Sequence, residues 1–350
     1  MLKNNIEANV GAITAQLQTM FAQDEPGVSI LVSLDGEAIL EFYAGLANLE
    51  SGEALNAAHQ LGVASLSKQF TGMAVLCLCA EGKLDLAEEA SAYFPDLPLD
   101  GRVISLRQCL SHTSGLPELT QNERFMADIH QPHTVAQIID YAFSGEFRSE
   151  PGERFIYNNT GYILAVALIE KMGGMRFSQF MEERIFVPLE MGHSYTCDFW
   201  RDADRAVQRY EPSQDGYKKA IEMHFSNLIG GGSIVSNVTD LAKWGNALLT
   251  GDHLPPNYRE MWRSNQLSNG EPTYYGLGMG IDSLEGERYY YHPGMGSGMN
   301  SINVIYPDHH LTISVIRNVS TPKHTSKEIS AMIARRLLFG QAAETDTAGS

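Results

Sequence analysis

Basic side chains are in short supply. Lysine and arginine number 25 against 42 aspartates and glutamates, leaving a formal net charge of −17. That acidic excess argues against nucleic acid and anionic membrane as partners, and leans slightly towards cationic or neutral ligands. Cysteine is scarce as well, at four residues. Cys77 and Cys79 lie two apart in a helical segment, where they cannot readily bridge. Cys109 and Cys197 show no metal-ligand spacing. Buried free thiols are expected, and neither metal nor cofactor is implied. No apolar run is long enough to span a bilayer. The segment Met1–Glu7 lacks the basic start and apolar core of a signal peptide. A cytoplasmic protein is expected, or a periplasmic or secreted one if a leader has been removed. Internal repeats and low-complexity tracts are absent.

What remains is an ordinary globular composition, 43% hydrophobic and 19% charged, in a chain long enough for a large core. Ile6, Val10, Ile13, Leu17 and Phe21 share one helical face. Two β-rich runs, Val28–Ser33 and Glu37–Tyr43, flank Asp35-Gly36, a strong hairpin signal. The middle third reads as helical, with helices over 134–144, 160–172 and 176–187 and a short one within Val103–Leu110. Further helices are expected near 238–249, 256–265 and 325–339. The last third returns to β at Tyr275–Ile281, Arg288–His292, Ser301–Tyr306 and Leu311–Arg317. Residues 341–350 are polar and expected to fray. The simplest packing is an α+β sandwich. One antiparallel sheet is built from both ends of the chain and flanked by helices, and a mostly helical lobe is inserted.

Val63-Ala64-Ser65-Leu66-Ser67-Lys68 leads into an almost wholly apolar run that ends at Glu81-Gly82. Such a helix is buried on nearly all faces. Ser65 and Lys68 lie one turn apart on the same side. A lysine at the mouth of a buried helix loses solvation, which lowers its pKa and makes it a proton acceptor. The N–H groups at the helix start suit an oxyanion. Taken alone the tetrad is weak, since average usage yields about one Ser-x-x-Lys by chance in such a chain. A second match, Ser320-Thr321-Pro322-Lys323, reads as a cap before the C-terminal helix.

Two more segments supply complementary groups. In Pro151–Tyr162, Tyr157 and Asn159 can face the same way if locally extended, the phenol as a proton carrier and the amide as donor and acceptor. A phenol beside an ammonium group should lose its proton more easily. In Tyr289–Gly298 a strand ends in a glycine-rich bend with His292 at its tip. There Gly294 lets a substrate backbone approach, and the N–H of Met295 is free to pair with that of Ser65. Each segment alone also fits an ordinary turn.

Together Ser65-Leu66-Ser67-Lys68, Tyr157-Asn158-Asn159 and His292-Pro293-Gly294 resemble the three marks of the penicillin-recognising serine hydrolases, in the family's order. The resemblance is greatest to class C β-lactamases and their esterase and D-aminopeptidase relatives. Leu110–Leu116, Pro151-Gly152-Glu153 and Gly231–Ser236 also look familial, so the resemblance runs over roughly residues 20–340. It implies a β-lactamase/transpeptidase-like catalytic domain over 1–340, with an α/β lobe (1–65 and 220–340) and a helical lobe (66–219). By the same resemblance Ser65 is the acylated nucleophile, Lys68 and Tyr157 handle protons, and Asn159 binds a substrate amide. His292 lines the opposite wall, and the N–H groups of Ser65 and Met295 form the oxyanion hole. His112 reads as a structural loop residue.

The sequence departs from the β-lactamases where Lys-Thr-Gly gives way to His292-Pro293-Gly294, removing a fixed cation and a hydroxyl suited to a carboxylate. An anion at that wall is then expected to bind better at low pH, when the imidazole is charged. The function expected is an acyl-enzyme hydrolase of esters, small amides or N-terminal D-residues. The alternatives are a true β-lactamase or D-Ala-D-Ala carboxypeptidase, and a non-catalytic binding or acylation-sensor protein. Small esters, amides or lactams are the expected partners, and self-association stays open.

Overall fold

Asp35 and Gly36 both take positive φ, 51° and 85°, the left-handed pair that a type I′ hairpin turn requires. The hairpin joins strands Val28–Leu34 and Glu37–Ala44. The structure, a computed structural model, describes residues 5–196 and 207–341. Cys197 and all of the polar tail beyond Gln341 lie outside the described residues. A six-stranded antiparallel sheet runs Gly280–Leu284, Glu287–Gly296, Met299–Tyr306, Leu311–Arg317, Val28–Leu34, Glu37–Ala44. The two chain ends meet where Val28–Leu34 pairs with Leu311–Arg317, Ile30 opposite Val315. Val28–Leu34 is buried at every position, as a strand covered on both faces must be.

The two faces differ in chemistry. Ile30, Val32, Ile302, Val304, Ile313 and Val315 pack beneath helices Ile6–Met20 and Ser326–Phe339. The opposite face carries Ser29, Ser33, Ser301, Thr312 and Ser314, all buried, under helix Val238–Thr250. Small side chains let that helix lie close: a Cβ on Gly245 would stand 2.8 Å from Thr312 Cγ2. Among the described residues no helix is long and apolar enough to cross a membrane.

The buried helix runs Ser67–Ala80, with twelve residues buried. Its start differs from expectation: Ala64–Leu66 forms a separate 3-10 turn, so Ser65 stands at the entrance rather than in the first α turn. The helix packs against helix Thr160–Gly173, the turn Tyr258–Trp262 and strand Glu287–Gly296. Tyr275–Gly278 is not strand. Leu277-Gly278 crosses the helix backbone to backbone, where a Cβ on Gly72 or Gly278 would collide with the Leu277 or Lys68 carbonyl. The edge strand starts only at Gly280. Ser320 does not cap the last helix. Thr325 does so, in a capping box with Glu328, while Ser320 Oγ accepts the Gly298 N–H at 3.2 Å.

Candidate active site

The approach to Ser65 is fixed by its neighbours. Val63 N–H donates to Ile234 O at 3.0 Å, and the Val63 carbonyl accepts from Ser301 Oγ at 2.7 Å. Ala64 then takes φ +48°, a left-handed conformation that costs an L-residue roughly 1–2 kcal/mol. Gly294 faces Val63, and any Cβ there would fall onto the Val63 carbonyl and Ser301 Oγ. The glycine is needed for the chain's own close approach to Val63.

Lys68 is completely buried and has three acceptors around its Nζ: Ser65 Oγ at 3.2 Å, Asn159 Oδ1 at 2.9 Å and Gly231 O at 2.9 Å. Burial lowers its pKa from 10.5 to about 7, the Glu118 carboxylate partly opposing the fall. The two carbonyl oxygens can only accept. Once Lys68 is neutral, its two N–H bonds serve those carbonyls and its lone pair is left facing Ser65.

That burial is a stability cost with a defined pH dependence. Between pH 7 and 10.5 the unfolded chain holds a proton that the folded Lys68 sheds, so stability rises with pH across that window. Lys68→Met removes this dependence. The melting temperature of the wild type minus that of the variant is expected to rise by a few degrees from pH 7 to 9, on the order of 2–3 kcal/mol. Parallel curves would show that Lys68 stays charged in the fold.

Glu118 was not marked by the sequence, yet it orders this corner. Its carboxylate accepts from Asn159 N and Nδ2, each at 2.8 Å, and from Thr120 Oγ1 at 2.7 Å. The Asn159 side chain is thus already committed to Lys68 and Glu118, with one amide N–H left for a ligand. Glu118→Gln removes the charge that raises the Lys68 pKa, so the acid limb of the pH–rate profile is expected to move to lower pH. A limb that stays or moves upward would contradict this.

Tyr157 is 38% exposed with its hydroxyl turned to Ser65, and Lys68 Nζ lies 4.8 Å from its ring centroid. Its ionisation runs opposite to expectation. Burial raises the pKa well above 10, the hydrogen bond with Ser65 opposes the rise without cancelling it, and Glu118 adds to it. The phenol stays protonated. Behind it His112 is buried at φ +60°, its ring 4.2 Å from that of Tyr157 and tilted 35°. His112 Nδ1 accepts the Asn158 N–H at 3.1 Å, and burial, then Lys68 and His292, hold the ring neutral. It is a support for Tyr157, in keeping with the structural role expected.

His292 requires a larger correction. It lies within strand Glu287–Gly296, opposite Asn303, not at a strand tip, and pairing continues to Gly296. The ring is buried, with Nδ1 donating to Pro293 O at 2.6 Å and Nε2 2.8 Å from the Tyr275 hydroxyl. The first bond fixes the proton on Nδ1, so Nε2 accepts from Tyr275. Burial, reinforced by Lys68, lowers the pKa to about 3. The imidazole is therefore neutral at working pH, and the expected low-pH gain for anions has no basis here. Stability contributed by this neutral ring is lost as pH falls below 6.5 towards 3.

Met295 follows on the same strand with its side chain 66% exposed, and the next residue, Gly296, lies against Ala64. Ser65, Tyr157, His292 and Met295 all open onto one cleft of 1160 Å³. The structure thus gathers every sequence-marked residue at one place and adds Glu118, the Gly231 carbonyl and Tyr275. Glu118 had only its nearness to Leu110–Leu116 as a signal. Nothing local pointed to Tyr275.

The family profile described as Beta-lactamase matches residues 6–335. The chain is 27% identical to Penicillin-binding protein 4* of Bacillus subtilis (strain 168), over 93% of this chain and 76% of that protein. It is 24% identical to Protein flp of Staphylococcus aureus (strain MW2), over 85% of the chain but only 60% of that protein's length. Among solved structures, D-amino acid amidase from Ochrobactrum anthropi SV3, complexed with L-phenylalanine amide, superposes with a TM-score of 0.80 at 25% identity. That match covers 96% of this chain and 97% of the other.

Proposed function

The chain belongs to the beta-lactamase family of serine hydrolases, and we propose that it cleaves esters and small amides through an acyl-enzyme on Ser65. The observation that carries this reading is the setting of Lys68: fully buried, with a pKa of about 7, two carbonyls on its N–H bonds and Ser65 on its remaining side. Neutral Lys68 takes the Ser65 proton as Oγ attacks the substrate carbonyl. The N–H groups of Ser65 and Met295 receive the oxyanion. Collapse breaks the bond to the alcohol or amine, which leaves with a proton passed from Lys68 through the Tyr157 hydroxyl. Water then attacks the acyl carbon and gives its proton back along the same route. Release of the acid restores Ser65.

The neutral His292 suits substrates without a carboxylate beside the scissile bond. The amidase relative, named for D-amino acids, makes D-aminoacyl amides one class to try alongside simple esters. In this reading the site lies at the seam of two lobes, 1–65 with 220–340 and 66–219.

The test is intact mass after fluorophosphonate treatment, with 4-nitrophenyl acetate hydrolysis in parallel. One adduct and turnover are expected in wild type, and neither in Ser65→Ala. Equal labelling and turnover in both proteins would overturn the reading.

A further inference from the structure

The cleft is larger than a small ester needs, and its far end differs from the end at Ser65. Alternation along strand Glu287–Gly296 puts Arg288, Tyr290 and His292 on one face. Tyr290 packs into the helical core, whereas Tyr289 and Tyr291 pack on the other side of the sheet. Trp262 stacks on Tyr290, with ring centroids 4.7 Å apart and planes at 17°. Arg288 comes next, exposed, with Ser283 opposite it on the edge strand. At about 3.3 Å per residue it stands roughly 13 Å beyond His292. It is the one lysine or arginine among the cleft's lining residues, and no described carboxylate pairs with it. The lining carboxylate, Asp282, belongs to the opposite face and accepts from Tyr289 OH at 3.1 Å and Ser283 N–H at 2.8 Å. Arg288 is thus the cation that the Tyr290 face of this cleft presents, with Asp282 turned to the other face of the strand pair.

We propose that the Trp262–Tyr290 platform and Arg288 form a distal specificity subsite for a flat aromatic substrate segment ending in a carboxylate. The inference rests on the acyl-enzyme reading and deepens it. Flat apolar surface is recognised by stacking on the outer face of this ring pair, since the two rings cover each other's inner faces. The terminal carboxylate meets the planar fork of Arg288. Anion recognition, missing at His292, is thereby moved away from the scissile bond.

The test uses Ser65→Ala protein, which holds ligands without turning them over. It is titrated calorimetrically with biphenyl-4-acetate and with the methyl ester of that acid. The carboxylate is expected to bind about ten-fold more tightly than the ester, the scale of one partly screened charge-assisted bond. Adding Arg288→Gln should bring that ratio close to one, and Arg288→Lys should restore part of it. Adding Trp262→Ala should weaken both probes alike, with Trp262→Phe retaining both. No detectable binding of either probe, or a ratio untouched by Arg288→Gln, overturns the subsite. Because no turnover is involved, failure of the wild type to hydrolyse 4-nitrophenyl acetate would count against the acyl-enzyme reading alone.

Discussion

Lys68→Ala is expected to lower kcat/KM for 4-nitrophenyl acetate by about three to four orders of magnitude, the upper range for loss of a positioned general base. The wild-type profile should rise along a limb centred at about 7 and then level off, because only the neutral amine can take the serine proton. In Lys68→Ala that limb should vanish. Lys68→Arg should not rescue activity, since a guanidinium keeps its proton throughout this range. Its five N–H bonds would also have to share the space that Asn159 Oδ1 and Gly231 O now fill. Substantial activity in Lys68→Arg, or an unchanged limb in Lys68→Ala, would remove Lys68 from the base role.

Much of this arrangement was legible in the sequence because the signals were either periodic or stereochemically strict. The Asp35-Gly36 turn is strict, since two consecutive left-handed residues tolerate few pairs, and it appeared where expected. The β runs at the two chain ends could be joined in one sheet because each end had strands to contribute. The entry of Ser65 was less legible: a 3-10 turn and an α turn have similar apolar spacing, and only the packing of Val63 against Gly294 separates them. The strand through His292 was cut short because Pro293 and three glycines read as a bend. Pro293 is exposed and opposite Ile302 in a pairing that runs on to Gly296.

The ionisation states were the least legible part. Proximity of Tyr157 to Lys68 suggested an acidified phenol, but the same burial that lowers the lysine raises the phenol. For His292, the residue type was legible but its two partners were not. Pro293 O and the Tyr275 hydroxyl consume both ring nitrogens, and Tyr275 lies 17 residues away on a segment expected to be a strand. Glu118 was missed for a similar reason. A single acidic residue in an acidic chain carries no local mark until the fold brings it to Asn159.

Tyr157→Phe separates proton delivery from proton abstraction. The phenol is neutral through the working range, so its use is to pass a proton rather than to act as a phenolate. An amine leaving group must be protonated before it departs, whereas 4-nitrophenolate departs readily without a proton. Tyr157→Phe is therefore expected to reduce kcat/KM, which reports acylation alone, on an anilide by about a hundred-fold or more, and on the nitrophenyl ester by at least about ten-fold less. The ring that remains still stacks on His112 at the present 4.2 Å spacing, so folding should be preserved. Since Lys68 and Tyr157 serve one proton route, Lys68→Ala with Tyr157→Phe should cost much less than the product of the single losses. Multiplicative losses would mean two independent functions. An equal loss on anilide and nitrophenyl ester would place Tyr157 in the attack step, where the leaving group's basicity does not enter.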